Sequence, residues 1–171
     1  MLGSRSFYAA RRLPSYSRAI YLQQIQSARF LSTFFPNSSV AANDIGAISF
    51  FTDIHCTDLV GLAEGRIFSA KKAGLYTTEF MRSEAAANHV QMAIVYDSWF
   101  AGTSPFGFWK GPHLPREWVR IAEMRTPHSE IVGDDVVSFY AVDPSMAAPV
   151  RSALHQFAAT LPAADGLTFQ Q

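Results

Sequence analysis

Cysteine, lysine, long apolar runs and, near the N-terminus, acid are what this 171-residue chain has little of. Its one cysteine, Cys56, excludes an internal disulfide and any zinc site built from several thiolates. Three lysines, Lys71, Lys72 and Lys110, are too few for the clustered cations that a phosphate backbone demands, so a nucleic-acid partner is not expected. No run of 18 apolar residues occurs, so no membrane-spanning helix is expected and the chain is read as soluble or peripheral. Charged residues make up 16% of the chain, below the roughly 25% of an average soluble domain. Such sparse charge suits a surface covered by a partner. Glycine-rich phosphate loops, G-x-S-x-G and H-E-x-x-H are also missing, which leaves the familiar hydrolase and phosphate-binding mechanisms unsupported.

The shortage of acid is the most informative of these. The first carboxylate is Asp44, whereas Arg5, Arg11, Arg12, Arg18 and Arg29 precede it. From Asp44 onward, 9 Lys+Arg stand against 14 Asp+Glu, a balance of −5, so the formal zero averages two unlike segments. An Arg- and Ser-rich, acid-free segment with Leu2, Tyr8, Leu13, Ile20, Leu22 and Ile25 at intervals is the pattern of a mitochondrial targeting segment. A negative-inside potential draws such a cation inward by about 2.3 kcal/mol per charge per 100 mV. An Arg-rich surface arm or a nucleic-acid arm is the alternative reading. We place the targeting segment at residues 1–31, with a cut between Phe30 and Ser32, and expect Pro14 to split any helix there. Residues 32–45 read as a linker and 46–171 as a single α+β domain.

Within that domain, Ile48–Ile54 reads as a strand after Gly46, and Leu59, Leu62, Ile67 and Ala70 recur at helical spacing as far as Lys71-Lys72 and the stop at Gly74. Leu75–Arg82 and His89–Trp99 read as strands, and Arg116–Arg125 as a short helix. Val136–Val142 reads as a strand, and Met146–Thr160 as a helix with Val150, Leu154 and Phe157 on one face. Leu167–Gln170 closes the chain as a last strand. Ile48-Ser49-Phe50-Phe51 and Val137-Ser138-Phe139-Tyr140 match in residue character, and each precedes a helix and then a Gly-Leu pair. Two β-α-β units of this kind make a ferredoxin-like antiparallel sheet packed against helices.

Residues 46–142 resemble the antibiotic biosynthesis monooxygenase type of dimeric α+β barrel. The likeness lies in the opening strand, the helix, and the stretch AGLYTTEFMRSEAAANHVQMAIVYDSWF, in which a Trp follows an acidic residue as Asp97-Ser98-Trp99. The resemblance implies dimerisation through sheets, an apolar pocket, and Trp99 with His113 as candidate catalytic residues. The first strand, AISFFTDI, has no Asn where the oxygenases and haem-degrading members carry one.

Other chemistry-bearing residues have plainer readings. Asp53 and His55 share a strand face and Cys56 points the other way, which reads as a strand-end cap and a buried thiol. His113 and His128 lie in proline-flanked loops, and His155 lies on the last helix. The aromatic group Phe100, Phe106, Phe108, Trp109 and Trp118 reads as a partner or pocket contact. We expect neither cofactor nor metal. The functional expectation is a non-catalytic accessory subunit of a mitochondrial inner-membrane complex, respiratory or ATP synthase, in contact with other subunits or a second copy on the matrix side. The alternative is a cofactor-independent monooxygenase or haem-degrading-type enzyme of the mitochondrial matrix.

Overall fold

A computed structural model describes residues 2–101, 111–126, 132–162 and 167–170. The N-terminal fifth is helical. Helix α1 spans Leu2–Ile20, continues through a π-helical turn at Tyr21–Ile25, and passes into α2 at Gln26–Phe34. Pro14 sits inside α1 instead of dividing it. It removes one backbone donor there, and the chain around it is exposed.

The expected boundary at residue 31 does not describe the folded unit. Leu22, Ala28, Phe30 and Leu31 are all buried, together with the polar Gln23, Gln26 and Ser27. The ring of Phe30 meets those of Phe34, Phe35, Phe139 and Phe157 at centroid distances of 5.7, 5.5, 5.6 and 5.5 Å. A cut between Phe30 and Ser32 would strip this aromatic centre from the core. The expected linker is equally structural, because Ser39–Ala42 forms β1 in the interior of the sheet. Val40, Ala41 and Ala42 are fully buried, as a short apolar run covered on both faces should be.

The chain is α+β, with one six-stranded sheet in the order β2-β1-β3-β5-β4-β6. The strands are β2 His55–Asp58, β3 Met92–Val95, β4 Val119–Arg125, β5 Val136–Ala141 and β6 Leu167–Phe169. The sheet is mixed where antiparallel pairing was expected: β1 runs parallel to β2 and β3, while β3, β5, β4 and β6 pair antiparallel in turn. The parallel pairs require crossovers, supplied by α3 (Gly46–Phe51) between β1 and β2, and by α4 (Gly65–Lys72) and α5 (Thr78–Ala87) between β2 and β3. One face of the sheet packs Met92, Ile94 and Phe139 against Phe30 of α2, Ile48 of α3, and Val150, Leu154 and Phe157 of α6 (Ala147–Ala158). The other packs Ala41, Ala93 and Val95 against Met81 and Ala85 of α5, with Phe100 and Trp118.

Other elements also differ from the sequence reading, and the helix read from Leu59 begins only at Gly65. Ile48–Phe51 is helical in α3, because burying Ile48 against the shared core outweighs the β preference of the run. The likeness of Ile48–Phe51 to Val137–Tyr140 therefore joins a helix to a strand and marks no structural repeat. Thr77, read as part of a strand, caps α5 by accepting from the Phe80 amide at 3.2 Å. Val119–Arg125 is strand β4, whose register shifts between Arg120 and Ala122. The extra residue, Ile121, interrupts the period-2 pattern and disguises the strand. Helix α6, strand β5, strand β6 and the stop at Gly74 (φ +71°) stand where the sequence places them.

Candidate functional site

Parallel strands β1 and β3 end side by side, and their carboxyl ends carry Asn43-Asp44 and Tyr96-Asp97. In open α/β sheets this edge is the usual place for a ligand crevice. Here it forms two polar nodes on opposite faces of the sheet.

The first node is filled by the chain's own N-terminal segment. Gln23 Nε2 donates to Thr126 Oγ1 at 3.1 Å and to the Asp134 carbonyl at 2.6 Å. The Tyr96 hydroxyl lies within hydrogen-bond reach of Asp44 Oδ2 (3.0 Å) and Gln23 Oε1 (3.2 Å), and Gln24 donates to Asp44 and to Tyr96. Burial first, and the Asp44 carboxylate second, push the Tyr96 phenol far above its ordinary pKa, so it stays a neutral donor. Asn43 Oδ1 accepts from the Tyr96 amide at 2.9 Å, while its Nδ2 is buried with no partner among the described residues. The space left beside these groups is about 10 Å³, room for one water and no larger ligand.

The second node is centred on Asp97, in the 3₁₀ turn Asp97–Phe100 that follows β3. Its Oδ2 accepts from Arg120 Nη1 at 2.7 Å and from Ser138 Oγ at 2.8 Å, and its Oδ1 from the Tyr140 hydroxyl at 2.8 Å. Ser138 and Tyr140 alternate onto one face of β5, and Arg120 stands opposite Tyr140 in the β4 register. Burial, then Asp97, raises the Tyr140 pKa. A carboxylate already accepting three bonds and a phenol held neutral make a positioning device rather than a general base. Beside them opens a cleft of about 650 Å³ lined by Thr78, Asp97, Phe100, His113, Arg116 and Tyr140, among others.

The candidate residues from the sequence distribute unevenly around this cleft. His113 lines it with an exposed side chain, and what is held is its backbone carbonyl, which accepts from Thr78 Oγ1 at 2.7 Å. Trp99 does not line it. The indole of Trp99 instead donates to the Gly133 carbonyl at 3.1 Å and packs on Tyr96 at 5.7 Å. Phe100 is buried and reaches the cleft wall, whereas Trp118, buried in the same cluster, lines a separate surface pocket with Arg82 and Glu117. Phe106, Phe108 and Trp109, with His128, lie outside the described residues.

His55 and Cys56 sit on edge strand β2. Burial, opposed by a hydrogen bond with Ser49, pushes the Cys56 thiol up, away from the thiolate. Among the described residues no three His, Cys, Asp or Glu side chains are placed to hold a metal. Sequence reasoning missed Arg120, Ser138 and Tyr140. Their one signal was polar residues alternating with apolar ones in Val137-Ser138-Phe139-Tyr140, which shows which face of β5 faces polar surroundings.

A mixed α+β sheet with a filled crevice at its parallel edge and an open cleft beside it defines the class of the protein. Within that class the chain belongs to the DUF8728 family, a domain of unknown function, whose match spans residues 16–140. The match takes in the buried segment Leu22–Phe35 as well as the sheet through β5. Neither curated proteins nor solved structures give a match.

Proposed function

We propose that this protein is a non-catalytic accessory subunit of a mitochondrial inner-membrane assembly, respiratory or ATP synthase, held on the matrix side. The observation that carries this reading is an exposed aromatic pair on the folded body. Phe50 and Phe51 of α3 are 79% and 56% exposed, and their rings meet edge to face at 4.8 Å. Single exposed apolar residues are ordinary, but a neighbouring aromatic pair on a lightly charged surface suits a protein contact. In this reading the Arg-only N-terminal segment is the import signal. Because Leu22–Phe35 is part of the core, the segment stays attached to the folded protein.

Native-gel migration of the mitochondrial protein tests the reading. Co-migration with a large complex, lost in a Phe50→Asp/Phe51→Asp variant that keeps its melting temperature, is the expected result. Migration as a free monomer or dimer overturns it.

A second reading keeps the dimeric α+β barrel and its oxygenase-type chemistry. The observation favouring it is that His113, Phe100, Asp97 and Tyr140 line one cleft. Turnover of an aromatic or haem substrate that His113→Ala abolishes would favour it.

A further inference from the structure

We propose that the open cleft beside Asp97 is a binding site for a small organic carboxylate with a flat apolar body, held by Arg116. The proposal deepens the second reading above and rests on it for the place of the site, while asking only for binding.

Arg82 of α5, Arg116 before β4 and Arg120 in β4 differ in their partners. Arg82 bonds Glu79 and Glu117, and Arg120 donates to Asp97 Oδ2 at 2.7 Å. Arg116 lines the cleft, is exposed, and has no carboxylate or hydrogen-bond partner among the described residues. Asp97, the acid of the same wall, does not take it up, because that carboxylate already accepts from Arg120, Ser138 and Tyr140. A guanidinium presents a planar fork of donors that matches the two oxygens of a carboxylate. An unmatched one on a cleft wall therefore selects a planar anion over a neutral or cationic ligand.

His113 adds a second donor. Its imidazole is exposed and, like Arg116, without a partner among the described residues. Its backbone carbonyl accepts from Thr78 Oγ1 at 2.7 Å, which ties the loop carrying both side chains to the first turn of α5.

The apolar part of the lining sets the rest of the ligand. Buried Phe100 and half-buried Leu114 give a wall that a flat group can cover. The volume of about 650 Å³ falls within the roughly 300–1,000 Å³ of small-molecule sites. Inorganic phosphate would leave this wall in water, and an uncharged ring would leave Arg116 unmatched. The node on the opposite face offers no such site, since Gln23 and Gln24 fill it and leave about 10 Å³.

Calorimetric titration of the purified full-length protein with cinnamate, a flat aromatic acid, tests the proposal. Cinnamate is expected to bind at least about tenfold more tightly than its uncharged counterpart cinnamamide or inorganic phosphate. Arg116→Gln is expected to weaken cinnamate binding at least about tenfold, leaving the affinity for cinnamamide and the melting temperature unchanged. Absence of cinnamate binding, equal affinity for the amide or for phosphate, or affinity that survives Arg116→Gln overturns the proposal. The second reading fails separately. Cinnamate binding with no turnover of any aromatic or haem substrate removes the oxygenase chemistry and leaves the site. Turnover that cinnamate does not inhibit removes the site and leaves the chemistry.

Discussion

The Gln23 side-chain amide donates to Thr126 Oγ1 at 3.1 Å, joining residues 103 positions apart in the chain. The same amide reaches the Asp134 carbonyl, and its oxygen lies within reach of the Tyr96 hydroxyl. One buried glutamine thus ties the N-terminal helix to the end of β4, the start of β5 and the end of β3. Gln23→Ala leaves several of these groups unpaired and is expected to lower unfolding stability by about 2 kcal/mol, read from urea denaturation.

The folded unit begins near Ala19, which is buried at the end of α1. A chain starting at Ala19 is expected to fold with a melting temperature close to that of the whole protein. A chain starting at Ser32 loses Leu22, Phe30 and the Gln23 bonds, and is expected to show no cooperative transition. Circular-dichroism melts of the two proteins check this, and a cooperative melt from the shorter one would refute it.

Phe30 stands at the meeting point of four aromatic rings from α2, its C-terminal end, β5 and α6. Phe30→Ala is expected to cost about 3–5 kcal/mol, a large share of the roughly 5–15 kcal/mol that holds an ordinary domain together. Phe30→Leu keeps most of the volume and is expected to cost clearly less. Chemical denaturation of both variants supplies the comparison.

Tyr96 predicts how stability responds to alkali. Its folded pKa is raised above the ordinary 10.0, by burial and then by Asp44. The contribution of the neutral phenol is complete below pH 10. It is lost as pH rises toward the folded value, because the unfolded chain gives up its proton first. From this residue the expected loss above pH 10 is about 1.4 kcal/mol per pH unit. Tyr96→Phe should be less stable at neutral pH yet show a shallower decline between pH 10 and 11. Equal slopes for the two proteins would count against the assignment.

Gly133 is fixed by space. A Cβ placed there would lie 2.7 Å from Trp99 Cζ2 and 2.9 Å from Tyr96 Cε2. Both rings are hydrogen-bonded in place, Trp99 to Gly133 itself. Gly133→Ala is expected to cost about 1–3 kcal/mol in a denaturation experiment and to shift the tryptophan emission.

Local signals made some elements legible and hid others. Helix α6 was readable because Val150, Leu154 and Phe157 mark one face, and β5 because its apolar run is bounded by turns. Strand β1 was hidden by its brevity: Ser39–Ala42 follows Pro36-Asn37 and looks like a linker until β2 and β3 pair with both its edges. The Asp97 node was only half visible. Asp97 was noted for its place before Trp99, but Arg120 was read onto a helix because the bulge at Ile121 broke the alternation. No local pattern relates Arg120, Ser138 and Tyr140 to Asp97, since strand register sets that proximity.

By itself, the sequence determined the contrast between an Arg-only N-terminus and an acidic body, the shortage of lysine and cysteine, and the helix and strand of the C-terminal third. These are properties of composition and short-range period, and they survive any fold. Tertiary structure alone decided that Leu22–Phe35 belongs to the core and that Ile48–Phe51 turns into a helix. It also decided that the crevice at the end of β1 and β3 is closed by Gln23 and Gln24. The reason in each case is that burial of Phe30, Ile48 and the glutamine bonds depends on partners from 18 to more than 120 residues away. Such burial outweighs the few tenths of a kcal/mol by which local propensity favours one conformation over another.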